Sequence, residues 1–146
     1  MENRYELFTG LITKINRLIK RIKTDAMAEF ELKVPHTSCL FYLYTDGSLN
    51  ATQLCERCES DKGAMSRTLD FLEKEGYITF DKCGARKYKK PVKLTEKGVL
   101  VGKKLSEKID NVLMRAGEGL ADDDRVKLYA GLALISDNLQ GICDEC

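Results

Sequence analysis

The chain has 146 residues, 43% of them apolar and 32% charged, enough for one globular core and unlike a disordered or fibrous chain. No apolar run approaches the roughly 18 residues a spanning helix needs, and MENRYELFTG lacks a signal-peptide pattern, so a cytoplasmic protein with no membrane partner is expected. The net charge of +1 hides an asymmetry. Residues 77–104 hold nine Lys/Arg against Asp81 and Glu96, whereas residues 115–146 hold three against seven acids, which points to a local basic surface for a polyanion.

Leu7, Phe8, Leu11, Ile12, Ile15, Leu18, Ile19 and Ile22 recur at spacings of three and four, which predicts an amphipathic helix over about residues 3–31. A stripe that long exceeds what one small core requires and calls for a partner helix. Pro35 fits the first turn of a second helix, whose body TSCLFYLY is apolar on most sides, and TDGS then turns the chain. Asn50 and Gln53 have capping-box spacing and open a short helix, ATQLCERC. Ser60 and Asp61 recap, and DKGAMSRTLDFLEKEG forms the next helix, closed by Gly76 as its left-handed stop. YITF and PVKL read as two short strands joined by the basic loop 81–90, a hairpin. Thr95 begins a helix striped by Val101, Leu105, Ile109, Val112 and Leu113. Gly117 and Gly119 break it, and Asp122–Asp124 suit the positive end of a last helix.

In the helix after Asp61, Met65, Leu69 and Leu72 make the buried stripe, leaving Gly63, Ser66, Arg67, Asp70 and Lys74 outside. Small residues in its first turn allow close approach to another surface, and Ser66 and Arg67 carry donors for phosphates or base edges. A short helix, a tight turn and such a helix form a helix-turn-helix, whose second helix enters the major groove. The hairpin would be a wing, its Arg86, Lys87 and Lys89 reaching an adjacent minor groove or backbone. The expected fold is mainly α with a small β-hairpin wing.

LCERCESDKGAMSRTLDFLEKEGYI, the basic hairpin and VKLTEKG together resemble the winged helix of the MarR (multiple antibiotic resistance regulator) transcription factors. The resemblance covers nearly the whole chain, and MSRTLDFLEKEGYI and KLTEKG at their separation are its most specific parts. It implies a homodimer joined through residues 1–33 and 105–146, with residues 34–104 as the DNA-binding winged helix on a palindromic operator. The candidate DNA contacts are Lys62, Gly63, Ser66, Arg67, Arg86, Lys87 and Lys89, of which the resemblance implies Ser66-Arg67, matching the family's Thr/Ser-Arg, and Arg86, matching its wing-tip arginine. It also implies a small-molecule effector cleft near Phe41, Tyr42 and Tyr44. One departure stands out. The family's wing carries Asp-Arg-Arg, whereas Gly84-Ala85-Arg86-Lys87 lacks the bracing aspartate and keeps the positive charge.

Six cysteines remain to be placed. Cys55 and Cys58 form a CxxC on the first helix of the helix-turn-helix, where packing as small hydrophobes is expected, as it is for Cys39. Cys83 has Lys82 beside it to favour its thiolate. Cys143 and Cys146 lie beyond the last apolar helical position, which leaves three readings: an inert, unstructured tail, a redox couple, or half a zinc site completed by a second tail or by His36 and Cys39. Zinc is the one cofactor this pattern raises. No nucleophile–base pair, phosphate loop or paired carboxylates appear, so an enzyme is not expected. Three readings follow: a DNA-binding repressor released by a small molecule, a thiol or metal sensor of the same fold, and a winged helix used for protein contact.

Overall fold

The computed structural model describes residues 4–81 and 89–146. Helix α1 (Arg4–Met27) ends in one 3₁₀ turn (Ala28–Phe30), after which Glu31 takes a left-handed φ of 57°. The helix expected over 3–31 is therefore an α-helix finished by a tighter turn. Helix α2 (Val34–Asp46) carries Pro35 in its first turn, where the missing N–H costs no helical bond. It buries Thr37, Cys39, Leu40 and Leu43. Thr37 is a polar residue in the core, and its hydroxyl is satisfied by donating to the Lys33 carbonyl at 2.9 Å.

Helix α3 (Ala51–Cys58) opens on the capping box that the sequence predicts. Asn50 Oδ1 accepts from the Gln53 N–H and Gln53 Oε1 from the Asn50 N–H, both at 2.9 Å. Helix α4 (Lys62–Lys74) is capped by Asp61, whose carboxylate accepts from the Ala64 N–H at 2.7 Å. Gly76, at φ 82°, ends α4 with the Tyr77 N–H donating to the Leu72 carbonyl at 2.8 Å. Strands β1 (Ile78–Phe80) and β2 (Val92–Leu94) then pair antiparallel, with Thr79 opposite Lys93. The Val92 N–H also donates to the Leu49 carbonyl at 2.8 Å, which ties the hairpin's base to the α2–α3 connection.

The chain divides at Ile109–Asp110 into two compact units. The first has a core around the fully buried Leu40, Leu54, Leu72, Val92 and Leu105. Each such leucine contributes roughly 1.5–3 kcal/mol by leaving water. The start of helix α5 (Glu96–Ala116) belongs to this unit and is fastened to the end of α4. Thr95 Oγ1 donates to the Gly76 carbonyl at 2.6 Å and accepts from the Gly98 N–H at 3.2 Å. Lys97 Nζ donates to the Glu75 carbonyl at 2.9 Å and lies 4.2 Å from the Tyr77 ring centre. The Thr-Glu-Lys-Gly stretch is thus a clasp between α5 and the base of the hairpin.

In the second unit, α5 closes at Gly117–Gly119, with Gly119 at φ 92°, and helix α6 (Asp122–Asp144) follows. Asp122, Asp123 and Asp124 occupy its first turn, the favourable end of the helix dipole for acids. None of its residues is buried. No helix among the described residues is long and apolar enough to cross a membrane.

Candidate nucleic-acid interface

Helix α4 is anchored by Met65, Thr68, Leu69 and Leu72, all buried. Three of these follow from the apolar period. Thr68 does not, because a threonine at that register reads as surface until the neighbouring helix is known. With that face fixed, Lys62, Gly63, Arg67, Asp70 and Lys74 point outward and Ser66 is half-buried at the boundary. A side chain at Gly63 would begin 3.4 Å from Asp61 Oδ1 and 3.6 Å from Arg67 Nη1. The Arg67 guanidinium therefore lies over the first turn of α4, where the helix is slimmest. Its five donors form a rigid fork suited to a phosphate or a guanine edge.

The joint between α3 and α4 sets this presentation. Glu59 sits in the left-handed region at φ 51°, and the Ser60 N–H donates back to the Cys55 carbonyl at 3.0 Å. Beyond α4, Lys93 pairs with Asp81 at 3.6 Å across the base of the hairpin, and Lys89 is exposed. Arg86 and Lys87, expected at the wing tip, lie outside the described residues, as does Cys83.

Beside α4 a cleft of about 600 Å³ opens between α1, α2 and the α3–α4 joint. Lys20, Lys23 and Arg57 line it with Glu59, Ser38, Tyr42 and Cys58, so its wall carries an excess of positive charge and one aromatic face. Arg57 is held by Asp46 at 3.0 Å, and Lys23 Nζ lies 5.7 Å from the Tyr42 ring centre. Burial pushes the Tyr42 hydroxyl's pKa up, keeping it neutral as a donor. Of the three aromatics expected near an effector cleft, Tyr42 lines this one. Phe41 packs edge-on against Tyr42 at 5.4 Å, and Tyr44 lines a smaller pocket against Gly47 and Val92.

His36 stacks on Phe71 with ring centres 4.1 Å apart, and its Nδ1 accepts from the Lys33 N–H at 3.3 Å. Burial, then the nearby Lys33 charge, pulls its pKa down, so it is neutral at pH 7. Cys143 and Cys146 are exposed near the end of α6, whereas Cys39 is fully buried. Among the described residues no group of three or more His, Cys, Asp or Glu converges as a metal site. Cys55 and Cys58 are half-buried and pack against the core. The Sγ atoms of Cys58 and Cys39 lie 3.9 Å apart. Spacing alone missed this approach, because the CxxC pattern directs attention to Cys55 while the packing of α2 on α3 brings Cys39 to Cys58 as well.

Residues 32–84 match the family model described as MarR family. An uncharacterized HTH-type transcriptional regulator of Bacillus subtilis, YfiV, is 25% identical over 117 residues, 80% of this chain and 73% of its own. NMB1585, a MarR family regulator from Neisseria meningitidis, superposes with a TM-score of 0.74 at 22% identity, over 95% of this chain and 97% of that one. MarR of Staphylococcus aureus, solved in complex with salicylate and kanamycin, gives a TM-score of 0.81 at 15% identity, over 96% and 95% of the two chains. At such identities the structures speak to the fold, a winged helix between long terminal helices.

Proposed function

We propose, from the premise that this chain belongs to the MarR family of DNA-binding transcriptional regulators, that it acts as a homodimeric repressor on a palindromic operator and is released by a small anionic effector. The observation that carries the reading is the outer face of α4, with Arg67 spread over the slim first turn at Gly63. Lys62 and Lys89 contact phosphates, Ser66 and Arg67 meet base edges or phosphates, and Arg86 and Lys87 extend the basic surface along the wing.

Two further observations support the dimer and the effector. Leu11 and Ile15 on α1 are 51% and 50% exposed, and Leu139 and Ile142 on α6 are 50% and 57% exposed. Apolar faces of that extent mark an association surface. The cleft's lysines, arginine and neutral phenol suit an aromatic carboxylate, the class to which salicylate, bound by the Staphylococcus aureus relative, belongs. A ligand wedged against Arg57, Cys58 and Ser60 pushes on the joint that aims α4.

Fluorescence anisotropy of labelled duplex DNA tests this. A dimer neutralising about six phosphates should lose roughly a thousandfold in affinity between about 50 and 200 mM salt. Salicylate, used as the probe, should weaken binding further in wild type and less in Lys23→Ala. Binding insensitive to salt would overturn the DNA reading, and wild-type affinity unmoved by salicylate would overturn this effector class.

A further inference from the structure

We infer that Cys58 and Cys39 form a peroxide-operated dithiol switch at the root of the recognition helix, in which a disulfide between α2 and α3 lowers DNA affinity. The switch rests on the DNA-binding reading above.

The two sulfurs are 3.9 Å apart and unequal in access. Cys39 is fully buried in the middle of α2, and its Sγ also lies 3.6 Å from Met65 Sδ of α4. Cys58 is half-buried at the last position of α3 and lines the cleft, so a small oxidant reaches it from solvent. The pair stands where α2, α3 and α4 meet. Its electrostatics divide the labour. A hydrogen bond from Cys39 and, less strongly, the charge of Lys23 favour the Cys58 thiolate, whereas Cys39 is held protonated by its bond to Cys58 and by burial. Attacking and resolving thiols are thereby distinguished. Two converging sulfurs suit a disulfide and fall short of the four ligands of structural zinc.

The chemistry balances with an organic hydroperoxide as oxidant. The Cys58 thiolate attacks the outer peroxide oxygen. An S–O bond forms, the O–O bond breaks, and the alcohol leaves with a proton, giving Cys58 sulfenic acid. Cys39 sulfur then attacks Cys58 sulfur. The S–S bond forms, the S–O bond breaks, and hydroxide departs as water with the Cys39 proton. Two thiols lose two electrons and two protons, and the hydroperoxide is reduced to alcohol and water.

Bond formation requires the sulfurs to close from 3.9 Å to about 2.05 Å. Cys39 sits inside a packed helix, so Cys58 makes most of that movement. Cys58 adjoins Glu59 at φ 51°, the hinge of the α3–α4 joint, and its displacement re-aims α4.

The experiment uses full-length protein treated with cumene hydroperoxide. Trypsin leaves Cys39 with Cys55 on peptide 34–57 and Cys58 on peptide 58–62. A disulfide-linked pair of these peptides is expected in wild type, in Cys55→Ser, and in the Cys143→Ser/Cys146→Ser double variant. It should be absent from Cys58→Ser. Affinity for duplex DNA should fall about tenfold on oxidation, a typical coupling magnitude, and return with dithiothreitol, while Cys58→Ser stays unresponsive. A linked pair missing from Cys55→Ser, or present with unchanged affinity, overturns the switch. Reduced protein that never binds DNA overturns the regulator reading instead, and peptide mapping still scores the disulfide.

Discussion

Arg67→Ala is expected to weaken operator binding by about 1–3 kcal/mol for each half-site, roughly one to two powers of ten. The side chain is exposed and its guanidinium lies over the first turn of α4, where the helix is slimmest. Because it packs against nothing in the core, the fold should not notice its loss. Surface changes of this kind stay within about 0.5 kcal/mol in stability. Anisotropy titrations paired with urea denaturation separate the two effects. Lys74→Ala, at the far end of the same helix, should cost much less affinity. Equal affinities for wild type and Arg67→Ala at matched salt would remove α4 from the interface and favour a protein-contact role for the winged helix.

Gly98→Ala should produce the largest loss of stability of any Gly→Ala change among the described residues. A Cβ there would stand 2.1 Å from the Tyr77 carbonyl oxygen and 3.0 Å from Leu94 Cδ2. The obstacle is backbone, which cannot swing aside, and Gly98 also donates its N–H to Thr95 in the clasp that joins α5 to the hairpin. The cost should lie at or above the top of the ~1–3 kcal/mol range for overpacking. Gly102→Ala meets Tyr44 Cβ at 2.7 Å and the Leu40 carbonyl oxygen at 3.2 Å, a less severe overlap than the 2.1 Å at Gly98, and should cost less. Urea midpoints for the two variants give the order. A Gly98→Ala protein as stable as wild type would contradict the close approach of α5 to the α4–β1 turn at Tyr77.

These glycines also show where sequence reasoning was strong. KLTEKG pointed to a family through resemblance alone, and its physical basis emerges only in the fold, where Thr95 and Lys97 grip the α4–β1 turn and Gly98 lets α5 pass. The local grammar of the first unit was legible from start to stop. The Asn50–Gln53 box, the Asp61 cap, the Gly76 stop and the Met65–Leu69–Leu72 stripe all stand where spacing placed them. Such features depend on residues three to seven apart, and spacing encodes them.

Features that depend on contacts between distant segments were hidden. Thr37 and Thr68 are buried because the helices that cover them happen to cross there, and nothing in their own windows marks them as core. The approach of Cys39 to Cys58, nineteen residues on, is of the same kind. The apolar stripe of α1 was plain in the sequence, yet the helix buries only Met27, at its end. Periodicity reports that a face is apolar without saying which chain covers it. A second copy of this chain is the proposed cover.

Selection of binding sites from a random duplex library, with the reduced full-length protein at about 100 mM salt, tests the central claim most directly. The reading of two α4 helices held on one dimer predicts enrichment of an inverted repeat whose half-site centres lie about one helical turn, ~34 Å, apart. Recovery of no sequence above background, or of a single half-site bound by one chain, would contradict it.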